Sequence, residues 1–400
     1  MQKILFFILL VVVQCSRAFI LKLDNKNGKF LLISFFMISV PFHFAFPIYN
    51  PAFLTPAGTL GTKLYITIPI LLLGMVWFFL QFKRTAYQFK SNIWILMILF
   101  LAAVSLLNKE APNKYFTFIF LLFFVSHILL FQLFLKSFSR DEIIKGVYDG
   151  FMILGTCQFL LAICFPLLNI SLVTKLFHQV GEETATRKGS RPGALGFFVH
   201  PGRLALFTII SSAFFQACYL FNYKRKLSIA LLVLGLGTVF LSYSRTALLV
   251  YIITMAFVYF IYKNANKPLI TMGNVFKFVL PTCLALGWLV FLSPLSSSFL
   301  KSDSTAQLDN RMIHWRMALQ IFSHSPLIGV GINSHLEYFS KHFSLFNSMI
   351  IDDEFFWQMP IHNIHLLILV ETGLIGLVLW FVFGISTVLS AKKDLANNCN

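Results

Sequence analysis

The sequence predicts an all-α, polytopic bundle of transmembrane helices, with about 10 to 12 spans and a large external loop before the last span. Of the 400 residues, 58% are hydrophobic and only 12% are charged, and the mean hydropathy is +0.79. Apolar runs of roughly 17 to 25 residues, the length that crosses a bilayer as a helix, recur along the chain. Runs such as "LLFFVSHILLFQLFLK" are apolar on every side, whereas strands of a membrane barrel alternate. We therefore predict a single integral-membrane domain over residues 1–400.

The apolar runs indicate ten spans, and an N-terminal stretch adds an eleventh. The stretch 3–20 has the length of a signal peptide, but it runs into Cys15, Ser16 and Arg17 without a small-residue cleavage pattern. It is predicted to be retained as a span, with a position along the membrane interface as the alternative. The ten spans are 30–49, 65–82, 92–108, 115–136, 147–170, 203–221, 227–243, 244–263, 275–294 and 362–389.

The formal net charge of +17 is spread over the short links between the apolar runs, not gathered in a basic patch or tail. Nucleic acid is therefore not expected as a partner, whereas membrane lipids are. The positive-inside rule makes the basic links cytoplasmic and the links that carry few basic residues external. The basic residues, including two at the C-terminus, are Lys22, Lys26 and Lys29; Lys83, Arg84 and Lys90; Lys136, Arg140 and Lys145; Lys224, Arg225 and Lys226; Lys392 and Lys393.

Two links, 171–201 and 295–360, are too long to be simple turns, and alternation places both outside. The second contains "DNRMIHWRMALQIF", where Asp309 or Asn310 is suited to cap a helix. Apolar residues at helical spacing predict that this helix lies on the membrane surface. They are Met312, Trp315, Leu319 and Phe322.

The next letters, "SPLIGVGINSH", indicate a turn. Pro326 restricts the backbone, and Gly329 and Gly331 permit conformations that other residues avoid. The chain is expected to turn sharply here and to bring backbone amides close to another group.

Five arginines lie at external ends of spans or in the external loops. A guanidinium is always charged, and its planar fork binds two phosphate oxygens at once. Arg245 interrupts an apolar run of about 35 residues, so the chain must cross, turn tightly at Ser242 to Ser244, and cross back. Together the five arginines suit the binding of a phosphate group presented from the membrane. The alternatives are that they contact lipid headgroups or form a structural salt bridge. The five are Arg191, Arg203, Arg245, Arg311 and Arg316.

The segment "MPIHNIHLLILVETGLIGLVLWF" places His362 and His365 at the mouth of the last span, with Glu371 inside it. Imidazole exchanges a proton near neutral pH, and a carboxylate in hydrocarbon is costly and usually has a task. Two alternatives remain open, a helix-capping role for the histidines and a metal site completed by acidic residues. Those acidic residues are Asp352, Asp353 and Glu354.

Two other chemistries find little support. The sequence lacks a glycine-rich nucleotide cradle, so a nucleotide-using enzyme is not expected. The six cysteines fall mostly within apolar runs, without the spacing of a metal site or a disulfide framework, so they are interpreted as small buried hydrophobes. They are Cys15, Cys157, Cys164, Cys218, Cys283 and Cys399.

Four motifs together resemble bacterial O-antigen ligases and related polysaccharide polymerases. In that family a His followed by Asn, Ser or Gln precedes two glycines spaced three apart, as His362, Asn363, Gly373 and Gly376 do here. "SYSRTALL" is similar to the family's Ser-Arg turn, "DNRMIHWRMALQIFSHSPLIGVG" to its loop element, and "RPGALGFFVHPGRLA" to its mid-chain element. The resemblance covers roughly Arg191 to Gly376, within a catalytic segment of 191–389.

The resemblance implies a multi-span, metal-independent and cofactor-free glycosyltransferase that uses undecaprenyl-diphosphate-linked glycans at the outer face of the bacterial cytoplasmic membrane. Arg245 and Arg311 would bind the diphosphate with help from Arg191, and His362 would be the general base of an inverting displacement. The supporting residues would be Asn363, His365, Glu371, Gly373, Gly376, Arg203 and Arg316. About 13 Å of helix separates Glu371 from His362, which favours orientation or packing for Glu371 over proton transfer.

The resemblance leaves the acceptor open. An O-antigen, capsule or exopolysaccharide polymerase is favoured over a ligase to lipid A core or a protein O-oligosaccharyltransferase, because the external loop is modest. Polysaccharide-assembly proteins of the cell envelope are further candidate partners. A glycan transporter or flippase is the alternative from another class, although no inverted repeat is evident.

The chain departs from the family pattern in two places. Gly202 stands where many relatives have Asn, which weakens the assignment of Arg203. The chain also ends one span after the loop, as expected for a short variant or a truncated reading frame.

Overall fold

The computed structural model describes part of the chain, in two compact units. The first unit comprises Met1–His43, Phe138–Ser302 and Lys392–Asn400, and the second comprises Phe44–Ser137 and Asp303–Ala391. The described residues are 33–34, 37–38, 45–47, 63–65, 93–108, 138–167, 201–242, 244–263, 304–332, 334–335, 338, 342, 361 and 363–399.

The described residues form helices and one short ribbon. In chain order they are β1 (Ala45–Pro47), β2 (Lys63–Tyr65), α1 (Ile93–Leu107), α2 (Arg140–Leu167), α3 (Pro201–Leu220), α4 (Arg225–Leu241), α5 (Arg245–Lys263), α6 (Ser304–His324) and α7 (Ile364–Cys399). β1 and β2 pair antiparallel, with Ala45 opposite Tyr65. The strand at residues 45–47 corrects the predicted end of the span 30–49, and Pro47 explains why a helix does not continue there.

The predicted class, a helical membrane bundle, is confirmed. Within the described ranges, four helical stretches are long and apolar enough to cross a membrane: Arg140–Ile163, Gly202–Leu220, Thr246–Lys263 and Ile364–Ser390. Large apolar side chains such as Ile210, Ile253 and Val378 lie exposed on these helices. Exposed apolar faces of this kind suit lipid, in which every backbone group must be bonded within the protein.

Most described spans agree with their predicted bounds. α1, α3, α4 and α5 begin and end within about two residues of the predictions, which is the usual uncertainty of helix ends. α2 begins at Arg140, seven residues before the predicted 147. A capping box explains the early start, since Ser139 N donates to Glu142 Oε2 at 2.8 Å and Glu142 N to Ser139 Oγ at 3.3 Å. The predicted spans 3–20, 115–136 and 275–294 lie outside the described residues, as does most of 65–82.

The first unit is built around α3, which packs against α2, α4 and α5. Small residues let the helices approach closely. Gly235 of α4 faces Ser212 of α3 with no room for a Cβ, and Gly237 meets the Phe159 ring of α2. The predicted tight turn is present, since α4 ends at Leu241 and α5 begins at Arg245.

In the second unit, the predicted cap of α6 was wrong, whereas the predicted apolar stripe lies on the exposed face of this helix. The helix begins at Ser304, so Asp309 and Asn310 lie inside it and do not cap it. Met317, Ala318 and Ile321 are buried in the core of this unit. The predicted stripe, by contrast, is exposed to about half at Met312 (53%), Trp315 (48%) and Leu319 (50%).

The last helix is broken, which corrects the prediction of one continuous span over 362–389. Gly373 has φ 66° and ψ −167°, outside the helical region, and this residue separates an arm at 364–372 from the stretch 374–399. The rings of His365 and Phe381 stack with centroids 5.4 Å apart. In a straight helix sixteen residues would rise about 24 Å, so the chain folds back at the break. The nine-residue arm, about 13 Å long, is too short to cross a bilayer.

The break frees four backbone groups, and the Gly-x-Gly loop (Ser325–Ile332) binds all four. The carbonyls of Val370 and Glu371 would normally accept hydrogen bonds from the amides of Leu374 and Ile375. Instead Val330 N donates to Val370 O at 2.9 Å, and Gly331 N donates to Glu371 O at 3.0 Å. In exchange, Leu374 N donates to Pro326 O at 2.9 Å, and Ile375 N donates to Leu327 O at 3.3 Å. The expected sharp turn is therefore present, and the group beside it is the broken helix.

Glycines make this exchange sterically possible. Gly329, Gly331 and Gly373 all have positive φ, at 68°, 106° and 66°. A Cβ on Gly373 would overlap the carbonyl of Leu327, and a Cβ on Gly329 would lie 2.5 Å from Thr372 N. Two backbone segments thus touch with no side chain between them.

Replacing Gly373 with Ala should destabilise the second unit. A non-glycine residue at this positive φ costs about 1–3 kcal/mol, and the overlap with Leu327 adds to that cost. The thermal unfolding midpoint of the full-length protein in detergent should fall, and the yield of folded protein should fall with it.

Gly384→Ala is the matched control, because Gly384 lies in the same helix with nothing within 4 Å of an added Cβ. This substitution should be neutral or stabilising by up to about 1 kcal/mol, the preference of a helix for Ala over Gly. Equal midpoints for the two variants would contradict the role assigned to Gly373.

Candidate functional site

The two units share the predicted site residues between them. Of the described site residues, Arg203 and Arg245 belong to the first unit, and the others belong to the second. Arg191 and His362 lie outside the described residues. Arg245 and Arg311 are placed in their helices, but their side chains are not described.

In the first unit, Arg245 is the first residue of α5, directly after the serine turn. Ser242 Oγ donates to Val239 O at 2.7 Å, and Ala247 N donates to Ser244 Oγ at 3.3 Å. Ser244 thus caps α5. The turn therefore presents Arg245 at the positive end of the α5 dipole, an arrangement that favours an anion.

The two supporting arginines are exposed. Arg203 is the third residue of α3, and Arg316 lies on α6 next to Trp315. Arg311 occupies the same helix about one and a half turns earlier. An exposed arginine on a membrane helix suits either a phosphate ligand or lipid headgroups.

At the start of the α7 arm, Asn363 is the helix cap. Its Oδ1 accepts from His365 N at 2.9 Å and from Leu366 N at 3.3 Å. Ile361, just before His362, is buried in the core cluster of the second unit together with Leu366 and Val370. The residues on both sides of His362 are therefore held, one by packing and one by the cap.

His365 is exposed, and its ring stacks on Phe381 beyond the break. The capping alternative thus belongs to Asn363, whose side chain makes the cap bonds, and His365 takes part through its backbone amide. The metal alternative, with Asp352, Asp353 and Glu354, lies outside the described residues. Within the part of the chain that is described, no group of three or more His, Cys, Asp or Glu could hold a metal ion.

Polar side chains at the end of α1 and directly after it hold the Gly-x-Gly loop from its other side. Asn108 Nδ2 donates to Gly329 O at 2.6 Å, and Ile332 N donates to Ser105 Oγ at 2.6 Å. Ser325 Oγ also donates to Gly329 O, at 2.7 Å. The loop therefore has backbone bonds to α7 on one side and side-chain bonds to α1 on the other.

Glu371 pairs with a histidine that the sequence did not single out. His335 Nδ1 lies 2.6 Å from Glu371 Oε1, and both side chains are largely buried, with 8% and 12% exposed. The only sequence signal for His335 is its position four residues after Gly331 of the loop motif. A buried carboxylate needs a partner, but the sequence does not say which residue that partner is. Ser105 and Asn108 were missed for the same reason, since long-range hydrogen bonds leave no local pattern.

The two glycines of the family motif differ in their surroundings. Gly373 contacts the Gly-x-Gly loop, as described above, whereas Gly376 faces Thr372 of its own helix. Both are buried. The break at Gly373 turns the chain, and Gly376 leaves room for the Thr372 side chain, whose Oγ1 donates to Ile368 O at 2.7 Å.

In chemical terms, the second unit brings a fixed imidazole-carboxylate pair, a capped helix start and a rigid loop to one cluster. The first unit offers an arginine at a helix start. Anion binding and proton transfer are the two tasks that these groups serve.

Comparison with known proteins finds one family that the chain resembles. Residues 230–381 match a family model described as O-antigen ligase, and the match includes Arg245, Arg311 and His362. No curated protein and no solved structure matches the chain. With its apolar helices, the chain is a multi-pass membrane protein. Over residues 230–381 the chain is similar to the O-antigen ligase family.

Proposed function

We propose that the protein transfers or polymerises glycan repeat units carried on undecaprenyl diphosphate, at the external face of the bacterial cytoplasmic membrane. The observation that carries the proposal is the O-antigen ligase match, which spans Arg245, Arg311 and His362 in one segment. Its substrates are a lipid-linked glycan donor and a glycan or lipid A core acceptor.

Arginines stabilise the leaving group in this proposal. Breaking the bond between sugar and diphosphate develops negative charge, and preorganised guanidinium groups stabilise that charge where a metal ion would otherwise act. Arg245 and Arg311 bind the diphosphate, and Arg191 assists them. The position of Arg245 at the start of α5 supports this role, because the helix dipole adds to its positive charge.

His362 is the general base. The acceptor hydroxyl loses its proton as its oxygen attacks the anomeric carbon, and the bond from that carbon to the diphosphate oxygen breaks. Direct displacement inverts the anomeric centre. The cap at Asn363 and the burial of Ile361 support this role, because a base must be held in place to act.

The external orientation follows from charge. Lys224, Arg225 and Lys226 precede α4 and belong on the cytoplasmic side under the positive-inside rule. α4 has 17 residues and spans about 25 Å, so the serine turn and Arg245 belong on the opposite side. A polymerase is favoured over a ligase, because the loop 295–360 is modest for binding a large lipid acceptor.

Substituting His362 or Arg245 with Ala should abolish surface polysaccharide and leave the protein in the membrane. Loss of a general base costs about 10²- to 10⁴-fold in rate, and loss of a charge-stabilising donor about 10²- to 10³-fold. Gel analysis of surface glycans and turnover of purified donor measure the effect.

Two variants serve as controls. Arg225→Ala removes an arginine from the other end of α4, where its guanidinium lies 5.0 Å from the Tyr219 ring centroid. His324→Ala removes an exposed histidine at the end of α6. Both should keep near-normal polymer. Near-normal polymer in His362→Ala and Arg245→Ala as well would refute the assignment.

Excess EDTA should leave donor turnover by the purified protein unchanged, because arginines do the work of a metal ion here. The rate is compared with that of a sample to which Mg²⁺ has been restored. A fall in the turnover rate on chelation that added Mg²⁺ reverses would contradict the metal-independent mechanism.

Deleting the gene in the source organism should leave lipopolysaccharide with a single repeat unit, the outcome for a polymerase. Gel electrophoresis of extracted glycans measures the number of repeat units. Full-length polymer retained on the lipid carrier would indicate a ligase instead, and unprocessed donor trapped on the cytoplasmic side would indicate a flippase.

A further inference from the structure

The contact between Glu371 and His335 is not used by the reaction described above. Glu371 lies inside an apolar segment, where a carboxylate is costly. The 2.6 Å distance from its Oε1 to His335 Nδ1 is that of a strong hydrogen bond. This bond joins the α7 arm to the chain that follows the Gly-x-Gly loop.

We propose that His335 is a positioning residue for the transfer reaction. Through its bond to Glu371, His335 fixes the α7 arm and thereby the place of His362 at the start of that arm. The proposal rests on the proposed function, in which His362 takes the proton of the acceptor. His335 acts through Glu371 and the arm, without contact with the substrate.

Tyr338, three residues after His335, packs in the same cluster as residues of the arm. Tyr338 N donates to Ser334 O at 2.9 Å, so His335 and Tyr338 are about one helical turn apart. Tyr338 is buried in the cluster that contains Ile361, Leu366 and Val370. This segment therefore holds the arm at Glu371 through a hydrogen bond and belongs to the same packed cluster as the residue before His362.

The other contacts of the arm do not replace this bond. The four backbone hydrogen bonds all lie at the break, and the nearest bonded carbonyl, that of Val370, is eight residues from His362. The apolar cluster packs without directional preference. Replacing a buried polar pair with apolar residues is often neutral for stability. A polar pair that joins an apolar helix to the segment after the loop therefore points to a role in geometry.

The ring of His335 is oriented through Nδ1. Within the described part of the chain, its Nε2 has no hydrogen-bond partner. An Asn at this position would place an amide nitrogen near the site of Nδ1 and keep the bond to Glu371. An Ala would remove the bond. The two substitutions thus separate the hydrogen bond from the imidazole.

The test compares His335→Ala with His335→Asn in the full-length protein, in lipid nanodiscs, with an undecaprenyl-diphosphate glycan as donor. His335→Ala should lower kcat by about 10- to 100-fold, because a misplacement of about 1 Å costs up to about 100-fold. The KM for the donor should change less than about twofold, because the diphosphate is bound by other residues. His335→Asn should restore most of the kcat.

A second readout does not depend on activity. Hydrogen exchange at Val330, Gly331 and Leu374 reports whether the loop and the arm stay joined. Exchange should be faster in His335→Ala and close to wild type in His335→Asn. His324→Asn is the matched control, because His324 is an exposed histidine at the end of α6. It should change neither readout.

Three results would overturn the proposal. They are a kcat for His335→Ala within about twofold of wild type, no recovery of kcat in His335→Asn, or a loss of activity that only follows the amount of folded protein. If the wild type does not turn over the donor, the proposed function fails. In that case hydrogen exchange alone tests whether His335 positions the arm. Faster exchange in Ala that Asn reverses supports the positioning role, and unchanged exchange overturns it.

Discussion

The second unit depends on one exchange of backbone hydrogen bonds. A helix broken at Gly373 leaves two carbonyls and two amides without their helical partners, and in apolar surroundings each unpaired group would cost several kcal/mol. The loop residues Pro326, Leu327, Val330 and Gly331 bind all four groups. The break and the loop therefore exist only together, and the positive φ angles of three glycines are the condition for both.

This exchange decides where polar chemistry can sit in a lipid-facing protein. Leu366 and Val370 of the arm pack into the core of the second unit, and Glu371 and His335 are buried there as a pair. The break also shortens the arm to about two and a half turns, which the bonds at its two ends can hold rigidly. The proposed transfer reaction needs such a place, because proton transfer and charge stabilisation require fixed polar groups.

Local signals predicted the local features well. Hydrophobic periodicity found the described spans, and the serine turn before Arg245 followed from the length of one apolar run. The start of α6 and the end of the span 30–49 were predicted wrongly, because α6 begins earlier, at Ser304, and a strand ends that apolar run. The continuous last span was wrong because hydropathy does not respond to one glycine that leaves the helical region.

The sequence by itself determined that the chain is a helical membrane protein, that residues 230–381 resemble the O-antigen ligase family, and which histidine, arginines and glycines match the motifs of that family. Composition and spacing are local properties, and they can be read from the sequence without knowledge of the fold. Only the tertiary structure decided that Gly373 breaks the last helix, that the Gly-x-Gly loop fills the break, and that Glu371 meets His335. These contacts join residues far apart in the chain, and their physical cause, the need to pair every buried polar group, does not specify the partner.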